Sequence, residues 1–94
     1  VLCEGDGGPE DTCATLQRLR CQLDQREADD RARAGEMAAA STAYEGLSHD
    51  GCEDGDVALF NAAVTAEHAG DAERAQRMRD ELARRFPTST LVGR

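Results

Sequence analysis

Laid over itself with an offset of 35 residues, the chain matches at positions that govern helix geometry: Gly35 falls on Gly70, Glu36 on Asp71, Ala40 on Ala75 and Leu47 on Leu82. Self-similarity at this period marks a helical array, in which each hairpin buries its apolar face against the next because it cannot bury it alone. The expectation is an all-α fold of antiparallel helical hairpins stacked as repeats, with about four helices and a long first one. Only Tyr44, Phe60 and Phe86 are aromatic, and the apolar content leans on alanine, so helices must approach closely to build a core. β-Branched residues are scattered and never alternate with polar ones over a strand's length. Ninety-four residues suffice for one domain and are too few for two.

The spacing of apolar residues and breakers places the elements. Residues 1–10 are rich in glycine and acid and read as a tail, leaving residues 11–94 as the domain. Asp11 or Thr12 can cap a first helix carrying Leu16, Leu19 and Leu23, with no breaker before Gly35. Between Gln25 and Ala34 its apolar side thins to Ala28 and Ala32, so this half packs against a close neighbour or faces water. Met37, Ala40, Tyr44 and Leu47 imply a second helix, and residues 48–56 (SHDGCEDGD) a loop, with Asp56 at an N-cap position. A third helix over 57–69 sets Phe60, Ala63, Val64 and Glu67 on one side and stops at Gly70. Asp71 caps a fourth, whose stripe is Ala72, Ala75, Met78, Leu82 and Phe86, and Pro87 ends it.

Charge excludes some functions. Residues 1–56 hold 14 acidic and 5 basic side chains, whereas residues 57–94 hold 5 and 6. The acidic half would repel a nucleic-acid backbone, and no basic face with base-stacking groups occurs, so nucleic acid is not expected as a partner. No apolar run is long enough to cross a bilayer, so no membrane insertion by this segment is expected. The chain opens on Val1, as expected of a domain of a longer protein or a processed product.

Residues 56–89 resemble a tetratricopeptide repeat, a helical hairpin of about 34 residues with small residues at fixed contacts and a closing proline. With Pro87 as the closing position, Leu59 fits the first large apolar site, and Ala63 and Ala75 fit the two small sites. Gly70-Asp71 is similar to the common turn between paired helices, and Phe86-Pro87-x-Ser89 is similar to the ending of repeats in bacterial envelope lipoproteins. Ala66 and Arg79 depart from the pattern, which usually has aromatics there. Residues 21–54 form a degenerate first repeat: Gly35, Ala40 and Tyr44 fit, whereas Asp24 and Arg31 do not. The resemblance implies binding of a protein or peptide on the concave surface lined by the first helices. The matching positions are Asn61, Val64, Thr65 and His68 in the clearer repeat, and Arg26, Asp29 and Asp30 in the weaker one.

Cys3, Cys13, Cys21 and Cys52 contain no CxxC pair, which argues against structural zinc and redox catalysis. Disulfides suit a thin alanine core better. In an antiparallel hairpin the start of the first helix lies beside the end of the second. Cys21, opening the first repeat, should therefore neighbour Cys52, which stands where the second repeat has Pro87, leaving Cys3 with Cys13. Three connectivities remain possible, and four reduced thiols in a cytoplasmic protein are the alternative.

Asp50, Asp54, Gly55 and Asp56 superficially suggest a calcium loop, but Cys52 stands at its third position and Asn61 at its twelfth, where a bidentate glutamate is required. His49 and His68 are the only histidines and have no catalytic context; His68, just before a helix-ending glycine, suits the helix dipole. The expectation is a non-catalytic scaffolding module without cofactor or metal. The lipoprotein resemblance and the cysteines imply an exported protein of the bacterial periplasm or cell envelope, with a cytoplasmic one as alternative. A second functional reading is a structural spacer or dimerisation domain, in which Ala75, Met78, Leu82 and Phe86 meet a second copy as a homodimer.

Overall fold

The computed structural model describes residues 10–50, 52 and 54–93, with side chains from residue 16 onward. Among the described residues four helices follow one another: α1 (Glu10–Arg33), α2 (Met37–His49), α3 (Gly55–His68) and α4 (Ala72–Arg85). No strand occurs among the described residues, and the fold is all-α. Each helix packs on the next, α1 on α2, α2 on α3 and α3 on α4, giving two antiparallel hairpins side by side.

The two glycines that match at the 35-residue offset share one backbone geometry. Gly35 and Gly70 have φ of +84° and +83°. At the end of α1 the Glu36 amide donates to the Arg31 carbonyl (2.8 Å) and the Gly35 amide to that of Ala32 (3.1 Å). At the end of α3 Asp71 donates to Ala66 (2.9 Å) and Gly70 to Glu67 (3.0 Å). Both are Schellman turns, which satisfy the last carbonyls of a helix and need a left-handed residue just past its end. The two hairpins are also closed at equivalent places. Cys21 is joined to Cys52 in a disulfide. Asp56, 35 residues after Cys21, accepts a hydrogen bond from the Ser89 hydroxyl (2.7 Å).

The core is mostly alanine. Ala58, Leu59, Ala62, Ala63 and Ala66 of α3 are buried, as are Ala40, Tyr44 and Leu47 of α2 and Ala75, Met78 and Leu82 of α4. α3 is covered from both sides, so its buried positions wrap around much of the helix. This differs from the single side expected from sequence: Phe60 and Val64 are only half-buried and Glu67 is exposed. Methyl-sized side chains let α2 approach until the Ser41 hydroxyl donates to the main-chain carbonyl of Ala62 in mid-helix (2.7 Å). The Phe86 ring lies against the start of α3, its tip 2.9 Å from where a Cβ on Gly55 would stand.

α1 takes the first of the two alternatives expected for its alanine half. Its alanine half is the part that packs: Ala28 is fully buried and Ala32 joins the core. Leu16, Leu19 and Leu23 are 54, 49 and 65% exposed. The reason is length, since 24 residues of α1 outrun the 13 of α2 by roughly 16 Å at 1.5 Å per residue. The start of α3 also differs from expectation. Asp54, at φ 61°, occupies the N-cap position without a side-chain bond, and Asp56, the expected cap, binds Ser89 from the first turn. Asp71 caps α4 as expected, accepting from the Arg74 amide (3.0 Å). The expected Cys3–Cys13 pair lies outside the described side chains, as do residues 1–9 of the expected tail 1–10, whereas Glu10 already belongs to α1.

Neither Gly35 nor Gly70 has a heavy atom within 4 Å of where a Cβ would stand, so replacement there tests the backbone alone. Gly35→Ala and Gly70→Ala are each expected to destabilise the chain by about 1–2 kcal/mol, read from the urea midpoint. The Cys21–Cys52 link spans a sequence separation of 31. Replacing both residues by alanine should cost about 3–4 kcal/mol through loop closure in the unfolded chain, measured by denaturation without reductant.

Candidate functional site

Two groups of polar residues stand out, one on the outer face of α2 and α4 and one around the α1–α2 turn. The first is a seam built on the i, i+4, i+7, i+8 face of α2, where Ser41, Glu45, Ser48 and His49 look toward α4. Arg74 donates from Nε to the Ser41 hydroxyl (2.8 Å) and from its guanidinium to Glu45. Arg85 donates to the Ser48 carbonyl (2.6 Å) and hydroxyl (3.2 Å) and to Glu81 (2.8 Å), and its guanidinium lies 5.2 Å from the Phe86 ring centre. His49 Nε2 is 3.3 Å from Glu81 Oε2. Side-chain oxygens or nitrogens of Glu45, His49 and Glu81 all lie within 4.8 Å of one another. The sequence does not bring these three together; the available signal is the spacing of Glu45 and His49, four apart on one helix, but Glu81 joins them only through the packing of α4.

The second group contains part of the expected binding surface. Leu23, Arg26, Glu27, Asp30, Arg31 and Glu36 line a shallow concavity of about 380 Å³. A second, of about 430 Å³, is lined by residues 35–39 together with His68 and Ala69. Glu36 belongs to both, so the two adjoin at the α1–α2 turn. The polar groups here are partly engaged: Arg31 bridges Glu27 and Glu36 (3.0 and 3.3 Å), and Arg33 pairs with Asp30 (3.3 Å).

Of the seven expected binding residues, Arg26, Asp30 and His68 therefore border this pair of concavities. Asn61 and Val64 are half-buried on α3 and line neither. Thr65 is buried, its hydroxyl donating to the carbonyls of Asn61 (2.8 Å) and Ala62 (3.2 Å). Asp29 faces α2, where it accepts from the Tyr44 hydroxyl and from Gln25 (3.1 Å). Arg79, at a position where the resembled repeats have an aromatic, joins α4 to α3 through Glu67 (2.8 Å). That hydrogen bond holds the Glu67 carboxyl below the ordinary range and raises Arg79.

Burial, then the hydrogen bond to Asp29 and its negative charge, push Tyr44 up to about 12. The neutral phenol is the form the fold favours. Its contribution to stability is full below the unfolded value near 10 and is lost as pH rises through about 12.

Comparison with known proteins returns no matching family model, no matching curated protein and no matching solved structure. No helix among the described residues is long and apolar enough to cross a membrane.

Tyr44 is the only tyrosine, so ultraviolet absorbance reports it alone. Its titration midpoint is expected near 12, or as an abrupt step if the chain unfolds first, and Asp29→Asn should lower that midpoint. A midpoint near 10 in the folded wild-type chain would place Tyr44 outside the α1–α2 interface.

Proposed function

We propose that the chain is a non-catalytic interaction module of the tetratricopeptide kind, which holds a protein or peptide segment at the surface around the α1–α2 turn. The observation that carries the reading is the junction of two open concavities at Glu36, bordered by Arg26, Asp30 and His68. These residues come from α1 and α3, the first helices of the two hairpins. Two further features support a repeat of this kind: the Schellman turns at Gly35 and Gly70, and the burial of Leu59, Ala63 and Ala75 at the positions where repeats need apolar or small residues. Such open, mixed-charge surfaces suit an extended protein segment better than a small molecule, which wants an enclosed apolar pocket. The disulfide between Cys21 and Cys52 favours an exported protein of the bacterial envelope over a cytoplasmic one.

The competing spacer or dimerisation reading loses the surface assigned to it from sequence. Ala75, Met78 and Leu82 are 1, 3 and 2% exposed and are spent on packing within the chain. The exposed leucines of α1 are the feature that favours a structural role.

Photo-crosslinking residues placed singly at Arg26 and at His68 should trap the same partner, whereas the same group at the exposed Arg84 of α4 should not. Equal trapping from Arg84, or none from either of the first two, would count against this surface.

A further inference from the structure

We propose that Glu45, His49 and Glu81 form a binding site for a divalent transition-metal ion of the zinc class, which clamps α2 to α4. Glu45 and His49 lie four residues apart on one face of α2 and Glu81 comes from α4, so an ion held by all three joins two helices not adjacent in the chain. The donor atoms fall within 4.8 Å of one another. His49 Nε2 and Glu81 Oε2, at 3.3 Å, already have the separation of two ligands on a tetrahedral ion with bonds of about 2.0–2.1 Å.

The frame that holds the donors does not depend on the ion. Ser48 is fixed to Arg85 on one side of His49 (2.6 Å), and Ser41 is fixed to Arg74 a turn before Glu45 (2.8 Å). The two helices are thereby held in register, and binding need not order them. Arg74 engages Oε1 of Glu45, while Arg85 and His49 meet Oε2 of Glu81. Oε2 of Glu45 is left for coordination, and Oε2 of Glu81 has two lone-pair sites, one for Arg85 and one for the ion.

The same arginines select the kind of ion. Two guanidiniums already balance the two carboxylates, so a hard cation drawn by charge and oxygen donors alone gains little. An ion with affinity for imidazole nitrogen gains the His49 bond as well, which favours zinc over magnesium or calcium. Three protein ligands leave a fourth position for water or for a donor from a partner. This site lies apart from the concavities at Glu36 and stands or falls independently of them.

The test is calorimetric titration and thermal melting of the oxidised full chain with zinc chloride, without reductant so that no thiol competes. The expected result is saturable binding of one ion per chain and a higher melting temperature. Both should be lost in the exposed-site variant His49→Ala and in Glu81→Gln, kept in His68→Ala, and not reproduced by magnesium at the same concentration. No binding to the wild-type chain, or an unchanged response in His49→Ala, would overturn the site; an equal response to magnesium would overturn its assignment to the zinc class.

Discussion

Everything else in this molecule depends on how closely α3 lets its neighbours come. Ala58, Ala62, Ala63 and Ala66 offer α2 and α4 little more than methyl groups, and at this range dispersion between backbones replaces the interlocking of large side chains. The Ser41 hydroxyl measures the approach, since it reaches a carbonyl in the middle of α3. Because α2 lies so close, Ser41 can also receive Arg74 of α4, and the polar seam outside the core follows from the alanine face inside it. A larger side chain at Ala62 would separate the helices and dissolve both layers at once.

The two hairpins solve one problem by different chemistry. Each must hold the end of its second helix against the start of its first. In the second hairpin a hydrogen bond from Ser89 to Asp56 and the Phe86 ring over Gly55 suffice, aided by Leu91 and Val92 against the core. The first hairpin has a disulfide at the equivalent place. The difference fits the composition: α1 contributes Ala28 and little else of its apolar surface to the core, so a covalent link stands in for burial the helix does not make.

Much of this was legible in the sequence, and the parts that were not share a cause. Glycine followed by an acid at 35–36 and 70–71 signals a helix end and the next start through local backbone chemistry, and both turns form there. Hairpin geometry and the repeat register set Cys21 beside Cys52, with other connectivities left open, and the two are joined. The exposure of Leu16, Leu19 and Leu23 was not legible, because spacing reveals a helix but not its neighbour's length, and α2 is too short to cover that half of α1. Asp29 and Thr65 read as surface residues because their partners, the Tyr44 hydroxyl and the α3 backbone, are set by rotamers and tertiary packing. The Glu45, His49 and Glu81 cluster was invisible for the same reason, since one of its members arrives from another helix.

The central claim, that a small-residue face on α3 holds α2 in near backbone contact and so organises the array, is tested most directly by nuclear Overhauser contacts in solution. Strong cross-peaks are expected between the Ser41 side-chain protons and those of Ala62, together with slow exchange of the Ser41 hydroxyl proton donated to the Ala62 carbonyl. Intact α2 and α3 helices without contacts between Ser41 and Ala62 would contradict it, and would mean that the hairpins are held by their closures alone.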